Sequence, residues 1–101
     1  MQFEWDVNKN KLNKSKHGLS FETASFAFQD PFLLSVRDER HHYTEERWQS
    51  LGQVEDVLLY IAHTLEEDND GEENIRIISA RAATSSETKR YDVYRSNVGR
   101  T

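Results

Sequence analysis

Six apolar side chains in a row, from Val57 to Ala62, set the strongest limit on how this chain can fold. A short, continuous apolar run is typical of a strand that is buried on both faces. We therefore expect it to be the central strand of a sheet. The chain has 101 residues, the size of one domain, and we expect residues 96–101 to form a frayed tail.

Capping residues and hydrophobic periodicity predict the other elements. Asp6 and Gly18 are placed to begin and end a lysine-rich helix. Thr84 and Glu87 are spaced as a capping box that opens a final helix. In chain order the predicted segments are a strand at 3–5, helices at 7–17 and from a Ser20 cap to the Asp30-Pro31 turn, strands at 32–36, 45–51, 57–62 and 74–81, and a helix at 84–95.

This order predicts an α+β fold with a mostly antiparallel sheet, two N-terminal helices and one C-terminal helix. The helices are expected to cover one face of the sheet and to leave the other face available. Strands 57–62 and 74–81 are close in sequence, which favours an antiparallel pair. The polar segment 37–44 is predicted to be a loop or a hairpin turn.

The net charge of −5 is distributed unevenly. Residues 1–18 carry four lysines and two acids, and residues 74–101 carry six basic side chains and two acids. Between them, residues 19–73 carry fourteen acids and three arginines. This pattern excludes a uniformly basic nucleic-acid-binding protein but is compatible with a local basic groove built from the two ends of the chain.

The residues that the sequence lacks exclude several functional classes. Without cysteine there is no disulfide framework, thiolate metal site or cysteine nucleophile. No stretch approaches the roughly 18 apolar residues of a membrane span, and the first residues are unlike a signal peptide, so a cytoplasmic location without membrane contact is expected. Asp38, His41 and His42 do not suggest a metal site, because adjacent histidines on an extended chain point to opposite sides. No cofactor is expected.

The remaining polar side chains are suited to cleavage of RNA without a metal. In that reaction the 2′-hydroxyl attacks the neighbouring phosphorus, which requires a base, an acid for the leaving 5′-oxygen, and cations for the charge on the phosphate. Histidine transfers protons at neutral pH, and arginine binds phosphate in a bidentate manner. The residue types are compatible with this chemistry, but by themselves they are not specific evidence for it.

Several blocks of sequence, in order from residue 3 to about residue 94, resemble the BrnT family of toxins. The blocks are Phe3-Glu4-Trp5-Asp6, Lys16 to Glu22, Asp30-Pro31, Glu45 to Trp48 with Leu51-Gly52, Ile75 to Thr84, and Lys89-Arg90-Tyr91. The resemblance implies a RelE-like ribonuclease fold and the toxin half of a type II toxin–antitoxin pair. It also implies a BrnA-type antitoxin that blocks the toxin and supplies the DNA-binding domain, so that DNA is contacted only indirectly.

The resemblance also assigns candidate site residues. The catalytic candidates are His17, Glu46, Arg47 and Arg81. The RNA-binding candidates are Lys16, Arg76, Arg90 and Tyr91. The base would be His17 or Glu46, the scissile phosphate would be held by Arg47 and Arg81, and Tyr91 would stack on a base of the RNA.

Structural interpretations compete with these roles. His17 would also suit a helix C-terminus, where a basic side chain favours the helix dipole. Tyr91 would also suit packing on the sheet, and His63 is expected to be a hydrogen-bonded histidine at the edge of the core. Arg76 and Arg81 are five residues apart, so a regular strand turns them to opposite faces, and Arg81 is preferred for the groove.

Two functions follow as hypotheses. The first is a metal-independent endoribonuclease toxin held inactive by its antitoxin. The second is a non-catalytic binding module of the same family, which keeps only the complex with an antitoxin-like partner and is favoured by the acidic composition. A DNA-binding repressor that acts alone is disfavoured, because no helix is basic on one face and followed by a recognition-type turn.

Overall fold

A computed structural model describes residues 1–39 and 46–98. The predicted tail is partly helical, because the last helix continues to Val98 without a helix-breaking residue. The elements are strand β1 (Gln2–Glu4), helices α1 (Val7–His17) and α2 (Phe21–Ser25), a 3₁₀ turn (Phe26–Gln29), strands β2 (Leu34–Asp38), β3 (Arg47–Val54), β4 (Val57–Glu67) and β5 (Glu73–Ala82), and helix α3 (Ser85–Val98).

The five strands form one sheet in the order β1-β5-β4-β3-β2, so the apolar run lies in the central strand, as predicted. Strands β2 to β5 pair antiparallel in sequence. Strand β1 pairs parallel with β5, which makes the sheet mixed. The parallel pair arises because the chain leaves β1 at one edge of the sheet and crosses through α1 and α2 to β2 at the other edge.

The core lies between one face of the sheet, here called the packed face, and the segment that contains α2 and the 3₁₀ turn. Phe21, Ala24 and Ala27 contribute from that segment and are completely buried. Opposite them, the packed face contributes Leu59, Ile61, Ile75, Ile77 and Ala80.

The second helix is shorter than its hydrophobic pattern suggests, because the chain tightens into the 3₁₀ turn after Ser25. Gly52 permits this close approach: a Cβ at that position would lie 2.6 Å from the carbonyl oxygen of Ala27. The strand predicted at 45–51 ends before Gly52, but in the structure Gly52 lies within β3 and lets the turn pack on the sheet.

Helix α3 does not join the other helices on the packed face. Its residues Lys89, Val93 and Tyr94 form a groove with Leu34 and Val36 of β2, and these two side chains point away from the packed face. The helices therefore lie on both faces of the sheet, which corrects the expectation of one fully available face. The physical reason is that Tyr91 of α3 is almost entirely buried and anchors the helix there.

Helix α1 has the predicted ends and protects one edge of the sheet. The carboxylate of Asp6 accepts hydrogen bonds from the first-turn amides, and Gly18 ends the helix with a φ of 70°. Strand β1 pairs only with residues 74–76. Beyond it, the side-chain amide of Asn13 donates to the carbonyl of Ala80 at 2.8 Å and accepts from its N–H at 3.1 Å.

Candidate functional site

A β-bulge brings Arg76 and Arg81 to the same face of the sheet. Ala62 is opposite Ser79, but His63 is opposite Ile77, so Ile78 is an extra residue in β5. Two residues five positions apart face opposite sides of a regular strand, and the extra residue brings these two to the same side. The expectation that these arginines point to opposite faces is therefore wrong, because it assumed a regular strand.

Arg47 lies on this same face, which we call the arginine face and define by Arg47, Arg76 and Arg81. Arg47 is directly opposite Thr64 of β4, and Thr64 is opposite Arg76 of β5. Neighbouring strands are about 4.8 Å apart, which places the backbones of the two arginines about 10 Å from each other. Arg81 is opposite Tyr60, four residues from Thr64 along β4.

Acidic residues flank this row of side chains at both ends. Asp38 of β2 is opposite Arg47, and Glu4 of β1 is opposite Arg76. Opposite charges on directly paired residues attract each other across strands. The basic character is therefore confined to the centre of the sheet, between two carboxylates, which agrees with the acidic total charge of the chain.

Arg81 is held in place by Glu87 and Tyr60. Its guanidinium donates to both Glu87 oxygens, at 2.8 Å and 3.0 Å, and lies 4.0 Å from the centre of the Tyr60 ring. Glu87 also accepts from the Thr84 amide at 2.9 Å, which confirms the capping box. The hydrogen bonds from Arg81 lower the pKa of Glu87 to about 2, so its negative charge persists and offsets that of Arg81.

Arg90 is exposed on α3 and lines a small depression together with Tyr60, Glu87, Gln49 and Leu51. Tyr60 and Glu87 are also the residues that hold Arg81. Arg90 therefore lies beside the arginine face.

Tyr91 has the structural role that competed with base stacking. Its side chain is 2% exposed, and its hydroxyl donates to Asp30 at 2.5 Å. Burial and the neighbouring carboxylate raise the pKa of Tyr91 to about 12. The ring is not accessible to RNA in this arrangement, so the base-stacking role assigned from sequence is not supported.

Asp30 is a positioning residue that the sequence analysis treated only as the end of a helix. Besides the Tyr91 hydroxyl, it accepts from the backbone amides of Phe32 and Gln53, both at 2.8 Å. Although its partial burial acts the other way, these hydrogen bonds lower the pKa of Asp30. One carboxylate thus joins the turn before β2, strand β3 and helix α3. The motif block Asp30-Pro31 was the feature of the sequence that could have pointed to this residue.

Lys16 and His17 are exposed in the last turn of α1. His17 lies one helical turn after Asn13, which binds the backbone of Ala80 at the outer edge of β5. The two candidates are therefore near the C-terminal half of β5 rather than on the arginine face itself. Basic side chains in the last turn of a helix interact favourably with the helix dipole, which is the structural interpretation given for His17 from the sequence.

Glu46 precedes β3 and forms an ion pair with Arg37, with the Nη2 and Oε1 atoms 3.1 Å apart. Arg37 is opposite Trp48, so it points away from the arginine face. Glu46 and Arg47 consequently have different surroundings. His41 and His42, which were weighed as metal ligands, lie outside the described residues, as does most of the predicted loop 37–44.

His63 belongs to a buried polar chain on the packed face. Its Nε2 atom is 2.7 Å from the Ser50 hydroxyl, and that hydroxyl is 2.7 Å from the hydroxyl of Ser35. Its Nδ1 atom is 3.0 Å from the carbonyl oxygen of Thr64. His63 and Ser50 are 2% and 0% exposed, so no substrate reaches them, and the expected structural histidine is confirmed.

The fold and this site define a class of small α+β proteins in which arginines line one face of the sheet. The chain belongs to the BrnT family, the ribonuclease toxins of type II toxin–antitoxin systems, and residues 5–87 match that family. A comparison with curated proteins finds no significant match. The matched range begins directly after β1 and contains α1, α2, strands β2 to β5 and the capping box of α3, and so includes Arg47, Arg76 and Arg81.

Membership in this family implies an antitoxin partner and RNA as the target. None of the helices in the part of the chain that the structure describes has the length and hydrophobicity needed to cross a bilayer.

Proposed function

We propose that this protein is a metal-independent endoribonuclease that cleaves RNA by attack of a 2′-hydroxyl on the adjacent phosphorus. The observation that supports it is the common orientation of Arg47, Arg76 and Arg81, which the bulge at Ile78 creates. Arginines that share one face of a sheet can bind phosphates of an extended RNA and stabilise the charge that develops during cleavage.

The proton-transfer roles are assigned to the two candidates named from sequence, His17 and Glu46. Neither is buried: His17 ends α1 near the C-terminal half of β5, and Glu46 directly precedes Arg47 at the start of β3. Arg90 and Lys16 extend the basic surface for further RNA contacts. Tyr91 acts as a positioning residue for α3.

The antitoxin is proposed to be BrnA-like and to contribute the DNA-binding domain, so that the toxin reaches DNA only through its partner. The complex is proposed to act in the cytoplasm, where its RNA target is present.

The test is cleavage of a labelled, unstructured RNA in EDTA by the wild type and by Arg47→Ala, Arg76→Ala and Arg81→Ala. Loss of a group that stabilises transition-state charge is expected to lower the rate about 10²-fold. Arg95→Ala is the matched control, because the Arg95 guanidinium lies over Phe32 at 4.9 Å instead of on the arginine face. Equal rates in all variants would contradict the proposed site.

The base is identified by the pH dependence of cleavage in His17→Ala and Glu46→Gln. A general base must be deprotonated, so the variant that removes it is expected to abolish the decline in rate at acidic pH. If the wild type does not cleave RNA at any concentration and its expression does not arrest growth, the second hypothesis, a non-catalytic binding module, takes its place. The pairing of Arg81 with Glu87 and the flanking acids favour that alternative.

A further inference from the structure

We propose that the groove between β2 and α3 binds an extended, acidic and apolar segment of the antitoxin, which adds to β2 as a sixth strand. This inference rests on the proposed function only for the existence of an antitoxin partner. It concerns where that partner binds, and its test does not require RNA cleavage.

The two edges of the sheet differ in protection. At the β1 edge, Asn13 of α1 occupies the backbone donor and acceptor of Ala80 beyond the short first strand. At the other edge, within residues 1–39 and 46–98, no strand pairs with the outer side of β2. An unprotected edge strand is a template for pairing with another chain.

An apolar groove of about 600 Å³ lies beside this open edge. Leu34 and Val36 line it from β2, and Val93 and Tyr94 line it from α3. Val36 and Val93 are 42% and 53% exposed, which is unusual for valines that face each other across a groove. A strand added to β2 would direct every second side chain towards this groove, so apolar residues at alternate positions would fill it.

The charge at the groove indicates the chemistry of the segment. Lys89 and Arg90 line it on α3, and no acidic residue is among the side chains that form it in the described part of the chain. A partner with acidic residues between its apolar ones would complement these two cations. Because Arg90 also borders Tyr60 and Glu87 beside Arg81, the same segment would cover part of the arginine face and compete with RNA.

The first experiment is amide hydrogen exchange of the free toxin and of its complex with the antitoxin. We expect slower exchange in β2 and in the α3 turn around Val93, and unchanged exchange in β1, the other edge strand. Protection confined to α1, or β2 amides that exchange equally in both states, would overturn the proposal. So would a free chain that is already a dimer with β2 protected, since a second copy would then occupy the groove.

The second experiment measures antitoxin affinity for Val36→Asp, Val93→Asp and Lys89→Glu. Each is expected to weaken binding at least about tenfold, because it places negative charge where the proposed segment brings apolar and acidic side chains. Val57→Asp is the matched control, an exposed valine on β4 outside the groove. Wild-type affinity in all three groove variants would overturn the proposal. RNA cleavage by the same free variants would test the proposed function separately.

Discussion

His63 shows how burial changes the behaviour of a single residue. A carbonyl oxygen only accepts hydrogen bonds, so Nδ1 donates to Thr64. Desolvation lowers the pKa of His63 and so favours the neutral ring, in which Nε2 accepts from the Ser50 hydroxyl. The residue therefore links stability to pH, although it lies far from any accessible chemistry.

We predict that the wild type loses stability as the pH falls below 6.5, the ordinary pKa of histidine. The unfolded chain then binds a proton that the folded chain does not, so the free energy of unfolding decreases, with a slope that approaches about 1.4 kcal/mol per pH unit. Urea unfolding at several pH values measures this slope. His63→Gln is expected to reduce it, whereas the exposed-residue control His17→Gln is expected to retain it. Equal slopes in wild type and His63→Gln would contradict the assignment.

Helix α3 illustrates how one element acquires its position through a single buried anchor. Its capping box explains where it begins but not where it packs. That position comes from Tyr91, whose hydroxyl reaches an Asp30 carboxylate already bound to the backbone of β3. The groove that we assign to the antitoxin depends on this anchor, which helps to hold α3 beside β2.

We predict that Tyr91→Phe lowers the free energy of unfolding by about 1.5 to 3 kcal/mol, the range for hydrogen bonds to charged groups. It should also speed amide exchange in α3, because the helix loses its polar tie to Asp30. Chemical denaturation and hydrogen exchange measure the two effects. Tyr94→Phe removes a hydroxyl from a partly exposed tyrosine of the same helix and should leave stability near the wild type. A Tyr91→Phe protein as stable as this control would contradict the anchoring role.

At the scale of the whole molecule, a net charge of −5 coexists with a local arginine face. The acids lie mainly in the middle of the sequence, while the sheet gathers Arg47, Arg76 and Arg81 from β3 and β5. Solvent ions screen charges beyond about 8 Å at physiological salt, so the nearby arginines have more influence on a bound phosphate than the total charge has.

We predict that RNA binding weakens with salt, with a slope of about −2 in a plot of log affinity against log salt concentration. Each phosphate neutralised on a single strand contributes about −0.7, and three arginines supply three contacts. Fluorescence anisotropy with a short labelled RNA measures the slope. Arg76→Ala should make it shallower by about 0.7, and the Arg95→Ala control should leave it unchanged. An identical slope in Arg76→Ala would remove that residue from the interface.

Features that depend on neighbours along the chain are readable from the sequence. The caps at Asp6, Gly18 and Thr84–Glu87 act within four residues, and the apolar run at Val57 to Ala62 is typical of a central strand. The motif blocks likewise identified the family. The RelE-like assignment and the catalytic roles stay predictions.

Three features of the site arise from contacts between distant segments. The bulge at Ile78 depends on the register between β4 and β5 and reverses the facing of Arg76. The parallel pairing of β1 depends on the path of the chain through α1 and α2. The position of α3 depends on the hydrogen bond between Tyr91 and Asp30, which is 61 residues earlier in the sequence. Local patterns specify which residues form helices and strands. Strand register, and the sheet face on which a side chain lies, depend on packing between distant segments, so a short stretch of sequence does not determine them.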